Sequence, residues 1–236
     1  MENVGHSDFK GALMNTSFRH FFLGTTNPNK IQEIGAILTA TGCTYEPTDP
    51  INPEETESDF VGNALLKARA YAAHAGGPTI CEDSGLIIPA LGGLPGPWSA
   101  RFSEFEKVDV EHGLVSSYSP SGLSRDRIDP MNNQRVLELM RGIEMPRRAA
   151  MFKVVFVVAL PDGSILCQCE GESHGWIAEV PRGTNGFGYD SIFVGQQFPT
   201  MTYAEVDSVR KNLVSHRKKA LQLFKAWLGN YLKSHE

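Results

Sequence analysis

Glu82 and Asp83 stand side by side, after the apolar run "TIC" and before a loop crowded with turn formers, "GGLPGPW". Two neighbouring carboxylates at a strand exit suit a hard divalent cation, which takes oxygen ligands and keeps several waters beside nucleotide phosphates. Open α/β sheets place their ligands at carboxyl strand ends, and the sequence puts these acids at one. Ser84-Gly85 is also a turn pair, so the same residues read as turn formers. Gly92, Gly93, Pro95, Gly96 and Pro97 then predict a stiff loop that walls a site.

Four other segments carry groups of interest. In "GTTNPNKIQE", residues 24–33, free N–H groups at a helix start suit phosphate. Lys30 lies in the first turn, where a cation is unfavourable without an anion nearby. The segment is a near miss to a Walker loop, with Asn29 at the second glycine and Ile31 at the Ser/Thr that would hold magnesium; it reads otherwise as a capped helix with a solvent lysine. "EETESDFVGNALLKA" offers Glu54 and Glu55, and sets Asn63 and Lys67 four apart on one helix face. "GTNGFGYDSIF" packs three glycines around Phe187, a loop that lets backbone approach a ligand beside an aromatic face, or a hairpin loop with a core aromatic. "KNLVSHRKKA" puts His216, Arg217, Lys218 and Lys219 at another helix start, again the wrong end for positive charge. Two such starts in an acidic chain suggest an anionic ligand between them.

Hydrophobic spacing predicts the elements that must hold these groups. Residues 19–25 read as a buried strand, followed by a helix capped by Asn27 with Pro28 at its first position. Ile31, Ile34, Ile37 and Leu38 recur at helical spacing. A strand is expected around 43–46, a loop over 47–59, and a helix over 57–75 with Phe60, Ala64, Leu65, Ala68 and Ala72 inward. Residues 103–130 have no clear period, which predicts an exposed insertion, with a helix resuming near Met131 and ending by Gly142. "RAAMFKVVFVVA" and "SILCQCE" flank "LPDG" as a long hairpin. Ala220, Leu221, Phe224, Leu228, Tyr231 and Leu232 trace one face of a C-terminal helix beginning near Ser215.

The 236 residues can bury a substantial core, with 41% hydrophobic and 21% charged residues in the ordinary globular range. No apolar run approaches the roughly 20 residues of a membrane span. A net charge of -5 gives no basic field for tracking a nucleic-acid polymer, yet leaves room for a small anion. Cys43, Cys81, Cys167 and Cys169 show no C-x-x-C spacing, which fits a reduced, cytoplasmic setting. Residues 1–17 read as an extension without targeting features, and residues 18–236 as a single domain.

Taken in order, "TTNPNK", "EETESDFVGNALLKA", "EDSGLIIPALGGLPGPWSARF", "GTNGFGYDSIF" and "KNLVSHR" closely resemble the inosine triphosphate pyrophosphatase family over roughly residues 20–230. The resemblance implies an elongated α/β fold: a long central mixed sheet flanked by helices, two lobes, and a nucleotide cleft between them, usually in a homodimer. It implies magnesium-dependent hydrolysis of ITP, dITP and XTP to the monophosphate and pyrophosphate, which sanitises the nucleotide pool. By resemblance, Thr25, Thr26, Asn27 and Lys30 hold the phosphates with help from Lys67. Glu55 and Asp83 hold magnesium, with Glu54 and Glu82 as alternatives. Asp83 is also the implied general base, and Ser84 touches substrate. Phe187, Gly188, Tyr189 and Asp190 line the base and sugar pocket, and Lys211, His216 and Arg217 close over the nucleobase.

Hypoxanthine and xanthine carry an acceptor oxygen at position 6, so donors from Arg217, His216 or loop N–H groups would be satisfied by them and would face an amino group in adenine. Glu82 stands where the family usually has Asp, Ser191 where a proline often follows the Tyr-Asp pair, and Gly62 where many relatives carry an acid. Two competing readings are a Maf-like pyrophosphatase acting on modified pyrimidine nucleotides or dUTP, and a nucleotide-binding module without turnover. The Ser-His-Arg segment and the "GFGYD" loop argue against the first; Lys30, Lys67 and Asp83 together argue against the second.

Overall fold

The structure, a computed structural model, describes residues 18–235; the expected N-terminal extension over residues 1–17 lies outside the described residues. A six-stranded mixed sheet organises the chain in the order β2-β1-β3-β6-β7-β8. β1 (His20–Leu23) lies parallel to β2 (Thr44–Pro47) and to β3 (Thr79–Ile87), whereas β6 (Ala149–Ala159), β7 (Ile165–Ile177) and β8 (Phe193–Gly195) continue antiparallel. α1 (Pro28–Ala40) follows β1, with Ile34 and Leu38 buried. α2 (Phe60–Ala75) starts where Asp59 accepts a hydrogen bond from Gly62 N at 2.8 Å and stops at Gly76 in the left-handed region. Its Ala64, Ala68 and Ala72 are small enough to seat the helix directly on the sheet.

Three apolar cores result. One packs α1 and the C-terminal helix against one sheet face, through Ile34, Leu38, Phe224 and Leu228. A second packs α2 against the opposite face, on Cys81, Val155 and Val157. The third gathers the far ends of β3, β6 and β7 with Phe102, Val136, Tyr189 and Tyr203. The long strands β6 and β7 run through both ends, so the two lobes share one sheet, as the α/β expectation had it. No helix among the described residues is long and apolar enough to cross a membrane.

Several expectations need correction. β3 does not end at "TIC": it runs on to Ile87, and Glu82, Asp83, Ser84 and Gly85 pair in register with Phe156, Val155, Val154 and Lys153 of β6. A nine-residue antiparallel ladder outweighs the local turn preference of Asp-Ser-Gly. Gly85 is required there by packing, since a Cβ would meet Ser99 Oγ at 2.3 Å and Gly96 O at 2.6 Å. Residues 103–130 are not structureless. They hold the hairpin of β4 (Phe105–Asp109) and β5 (Leu114–Tyr118) and the start of α3 (Arg125–Leu139). That helix begins six residues before Met131 and accommodates Pro130 within it. A short helix that the periodicity does not reveal, α4 (Ser208–Val214), precedes the C-terminal helix α5 (His216–Ser234). The latter starts as expected, with Ser215 Oγ accepting from Lys218 N at 3.1 Å.

Candidate functional site

Alternation along β3 sends its two acids to opposite faces of the sheet. Ile80 and Glu82 point toward α1 and α5, and Cys81 and Asp83 toward α2. The adjacent carboxylates therefore do not form one pair; each anchors its own charge cluster.

On the first face, Glu82 is buried and held by two cations. Its Oε1 accepts from Lys30 Nζ at 2.8 Å and from Arg217 Nη2 at 2.9 Å, and its Oε2 from Arg217 Nε at 3.1 Å. Burial alone would raise its pKa, but Arg217 and then Lys30 outweigh that and hold the carboxyl far below the usual range. Glu33, one turn along α1 from Lys30, also faces Arg217 at 3.8 Å. The misplaced positive charges noticed at two helix starts are thus answered by a carboxylate of β3 between them. Lys30 N lies 3.4 Å from Asn27 Oδ1, the capping geometry the sequence predicts, and Thr25 Oγ1 accepts from Asn27 N at 3.2 Å. Thr26 is exposed beside them.

On the second face, Lys67 of α2 lies between Asp83 Oδ1 at 2.8 Å and Glu55 Oε1 at 3.0 Å. Arg101 Nη2 approaches the other Glu55 oxygen at 3.7 Å. Burial works against the charged amine, yet its two carboxylates lift the Lys67 pKa above its ordinary value. Asp83 fares differently, because it shares one amine with a repelling neighbour. Burial pushes its pKa up, and Lys67 offsets only part of that. Asp83 Oδ2 is buried without a hydrogen-bond partner. An orphaned carboxylate oxygen next to a second carboxylate is the donor set that a hard divalent cation takes. Glu82, saturated by Lys30 and Arg217, fits that role poorly, and Glu54 is exposed. Ser84, half-buried, follows on β3.

The glycine loop supplies a different surface. Phe187 is 49% exposed, with Lys211 Nζ 5.2 Å from its ring centroid. Lys211, from α4, also forms an ion pair with buried Asp190. Gly188 adopts a positive φ of 60° within the loop. Tyr189 turns inward: it is 4% exposed and its hydroxyl donates to Ser99 O at 2.8 Å, which makes it a prop under the loop. His216 is half-buried and stacks its ring on Phe152 at 5.1 Å, with a buried, unpartnered Nδ1. Burial, reinforced by Arg217, pushes its pKa down to about 3. The imidazole is therefore neutral at physiological pH, and its NMR ring resonances should show no titration between about pH 5 and 8; a midpoint inside that window would contradict this placement.

The structure brings Lys30, Glu82 and Arg217 together, and separately Glu55, Lys67 and Asp83. Asn63, expected to project beside Lys67, instead bonds the backbone of Glu57 through both side-chain atoms, at 3.0 and 3.1 Å. Glu33 and Arg101 escaped the sequence reading. Glu33 lies three positions from Lys30 on one helix face, a spacing that could have flagged it; Arg101 carries no such signal. A cavity of about 510 Å³ opens between the start of α2, the Gly92–Trp98 loop and the β4-β5 turn, but Lys30, Lys67, Glu82 and Asp83 do not line it.

Comparison with known proteins finds matches over most of the chain. The Ham1 family model matches residues 21–227. A dITP/XTP pyrophosphatase of Symbiobacterium thermophilum is 38% identical over 207 residues, covering 87% of this chain and 92% of that protein. One from Bacillus subtilis is 37% identical over 204 residues, covering 85% and 92%. Among solved structures, a HAM1 protein from Coxiella burnetii matches with a TM-score of 0.74 at 32% identity, covering 89% of this chain and 98% of that one. The Staphylococcus aureus Ham1 protein matches with a TM-score of 0.72 at 28% identity and the same coverages.

Proposed function

The chain belongs to the Ham1 family, and on that premise we propose that it hydrolyses deaminated purine nucleoside triphosphates, ITP, dITP and XTP, to the monophosphate and pyrophosphate. The observation that carries the chemistry is Lys67 bridging Asp83 and Glu55 while the second Asp83 oxygen stays buried and unbonded.

In this reading water attacks the α-phosphorus, a new P–O bond forms, and the bond to the bridging oxygen breaks so that pyrophosphate leaves with its electron pair. Asp83 takes the proton from water. Its Oδ1 is fixed by Lys67, which sets the orientation of the carboxylate. Glu55 and Asp83 would hold magnesium, which supplies charge neutralisation on the phosphate oxygens. Lys30 neutralises the phosphate tail; it can leave Glu82 at modest cost, because Glu82 keeps Arg217 as its partner. The amides at the start of α1, with Thr25, Thr26 and Asn27, add donors to the same anion.

Phe187 offers the stacking face, Lys211 and Asp190 border it, and Arg217 and neutral His216 present hydrogen-bonding groups toward the base edge. A 6-oxo purine satisfies donors that would face an amino group in adenine. We take the two lobes as one domain over residues 18–236, working as a homodimer in the cytoplasm; the four buried, unpaired cysteines agree with a reducing compartment.

The test is pyrophosphate release from ITP, dITP, XTP, GTP, ATP and dUTP with and without magnesium. Release confined to the first three and abolished by chelation is expected. Preference for dUTP would move the chain to pyrimidine substrates, and silence on all six would leave a binding module.

A further inference from the structure

The loop Gly183–Asp190 carries the exposed aromatic ring of the site. Gly186 and Gly188 take positive φ of 76° and 60°, and the Phe187 ring stands half in solvent. A stacking platform helps binding only if the backbone beneath it is fixed before the nucleotide arrives. One side of the loop is held by its own residues, since Phe187 N donates to Asp190 Oδ2 at 2.9 Å and Asp190 N to Phe187 O at 3.2 Å.

The start of the loop is tied to Ala204, whose O accepts from Thr184 N and Asn185 N, and its Gly188 tip is held by α3. Asp129 Oδ2 accepts from Gly188 N at 2.8 Å, and Asn133 Nδ2 donates to Gly188 O at 3.0 Å and to Ser191 Oγ at 3.0 Å. Asp129 and Asn133 are four apart and so project from one face of the helix. The two peptides on either side of the Gly188 Cα are therefore gripped by a single rigid element. Arg125, one turn earlier, lies 2.7 Å from the remaining Asp129 oxygen as an exposed ion-pair partner. α3 is itself docked: Asn132 Oδ1 accepts from Ser103 N at 2.8 Å, while its Nδ2 faces Ser99 O and Ala100 O. Ser99 in turn bonds Leu86 N of β3 at 2.9 Å. A continuous polar path thus joins the strand of Asp83 to the loop of Phe187.

We propose that Asp129 and Asn133 are positioning residues for nucleobase binding, which fix the Gly188 peptides and through them the Phe187 ring. The inference rests on Phe187–Asp190 lining the base pocket. Stacking is shared by bound substrate and transition state, so loss of the clamp falls on KM and leaves kcat nearly intact.

The experiment uses the full chain with Asp129→Ala, Asn133→Ala and the conservative Asp129→Asn, which keeps an acceptor opposite Gly188 N. Each alanine variant is expected to raise KM for ITP and XTP about tenfold with kcat changed by no more than about twofold. Asp129→Asn should stay near wild type. Amide hydrogen exchange over residues 187–190, measured without nucleotide, should accelerate in Asp129→Ala. Unchanged exchange overturns the clamp. Faster exchange with unchanged KM, or a fall in kcat at constant KM, overturns its role in base binding. Should Asn133→Ala fail to fold, Asp129→Ala, less deeply buried, carries the same test. A wild-type chain that releases no pyrophosphate from ITP or XTP would sink the functional reading instead, and the exchange measurement would still decide the clamp.

Discussion

Asp83→Asn is expected to lower turnover of ITP by about 10²–10⁴-fold, the range that a positioned general base contributes, while the protein still binds the nucleotide. Asparagine keeps the shape and an acceptor for Lys67 but cannot take a proton from water. The same change should raise Tm at neutral pH, and the sign follows from the pKa. Asp83 is shifted up by burial, so the fold favours its protonated form. Stability tied to such a group is present at low pH and lost as pH rises through the folded pKa, which makes the ionised carboxylate a burden at pH 7. Lys67 is not orphaned by the substitution, because Glu55 remains at 3.0 Å. Steady-state kinetics, nucleotide titration and thermal melting of the one variant separate the outcomes. Unchanged turnover would remove Asp83 from proton transfer. Lost turnover with a clearly lowered Tm would mean that its pairing with Lys67 outweighs the cost of burial.

That trade between chemistry and stability was only half visible in the sequence. The residues were legible: Lys30, Lys67, Asp83 and Arg217 each stood out by type and local context, and the structure gives each a charged partner. Their partnerships were not. Adjacent acids suggest a shared ligand when the chain is imagined leaving a strand, but inside a strand the period of two separates them onto opposite faces. What decided between those pictures was β6, about seventy positions away, whose Phe156 and Val155 pair with Glu82 and Asp83. A non-local ladder of this kind has no trace in the local pattern.

The fold shows the same division. α5 was readable to within a residue of its start because one apolar stripe defines it. The β6-β7 hairpin was readable because a continuous apolar run flanks a turn, although β7 continues to Ile177, beyond the residues whose pattern marked it. β4 and β5 escaped because both expose most of their side chains and so carry little alternation. Pro130 hid the first turn of α3, and with it Asp129, which the sequence offered only as part of an insertion. Tyr189 looked like a pocket residue beside Phe187, yet neighbouring residues of a tight loop point in opposite directions, and the larger apolar demand lay beneath it.

Glu82→Gln should be the most destabilising single change in the site. The Glu82 side chain is 2% exposed and Arg217 is 9% exposed, so an amide there leaves Arg217 with only Glu33, 3.8 Å away, and removes the counter-charge of Lys30, itself 21% exposed. Breaking a buried pair from one side costs about 3–5 kcal/mol. For a chain of this size each kcal/mol lowers Tm by about 2–4 °C, so a fall of about 10 °C is expected. The pH dependence identifies the cause. The Glu82 pKa is held far below the usual carboxylate range, so its contribution is complete above its unfolded value near 4.5 and fades as pH falls toward the folded one. The stability gap between wild type and variant, measured by urea unfolding, should be constant from about pH 8 to 5 and narrow below about pH 4.5. It should respond little to salt, because buried pairs are poorly screened. Replacing Arg217 and Glu82 together by Met should recover most of the loss, since apolar residues of similar volume substitute well for a buried ion pair. A gap under about 1 kcal/mol at neutral pH, the worth of an exposed pair, would show that Lys30 and Arg217 do not depend on Glu82. Because that carboxylate holds both Lys30 and Arg217, proposed for the phosphate and for the base, its loss should weaken both contacts of the proposed site at once.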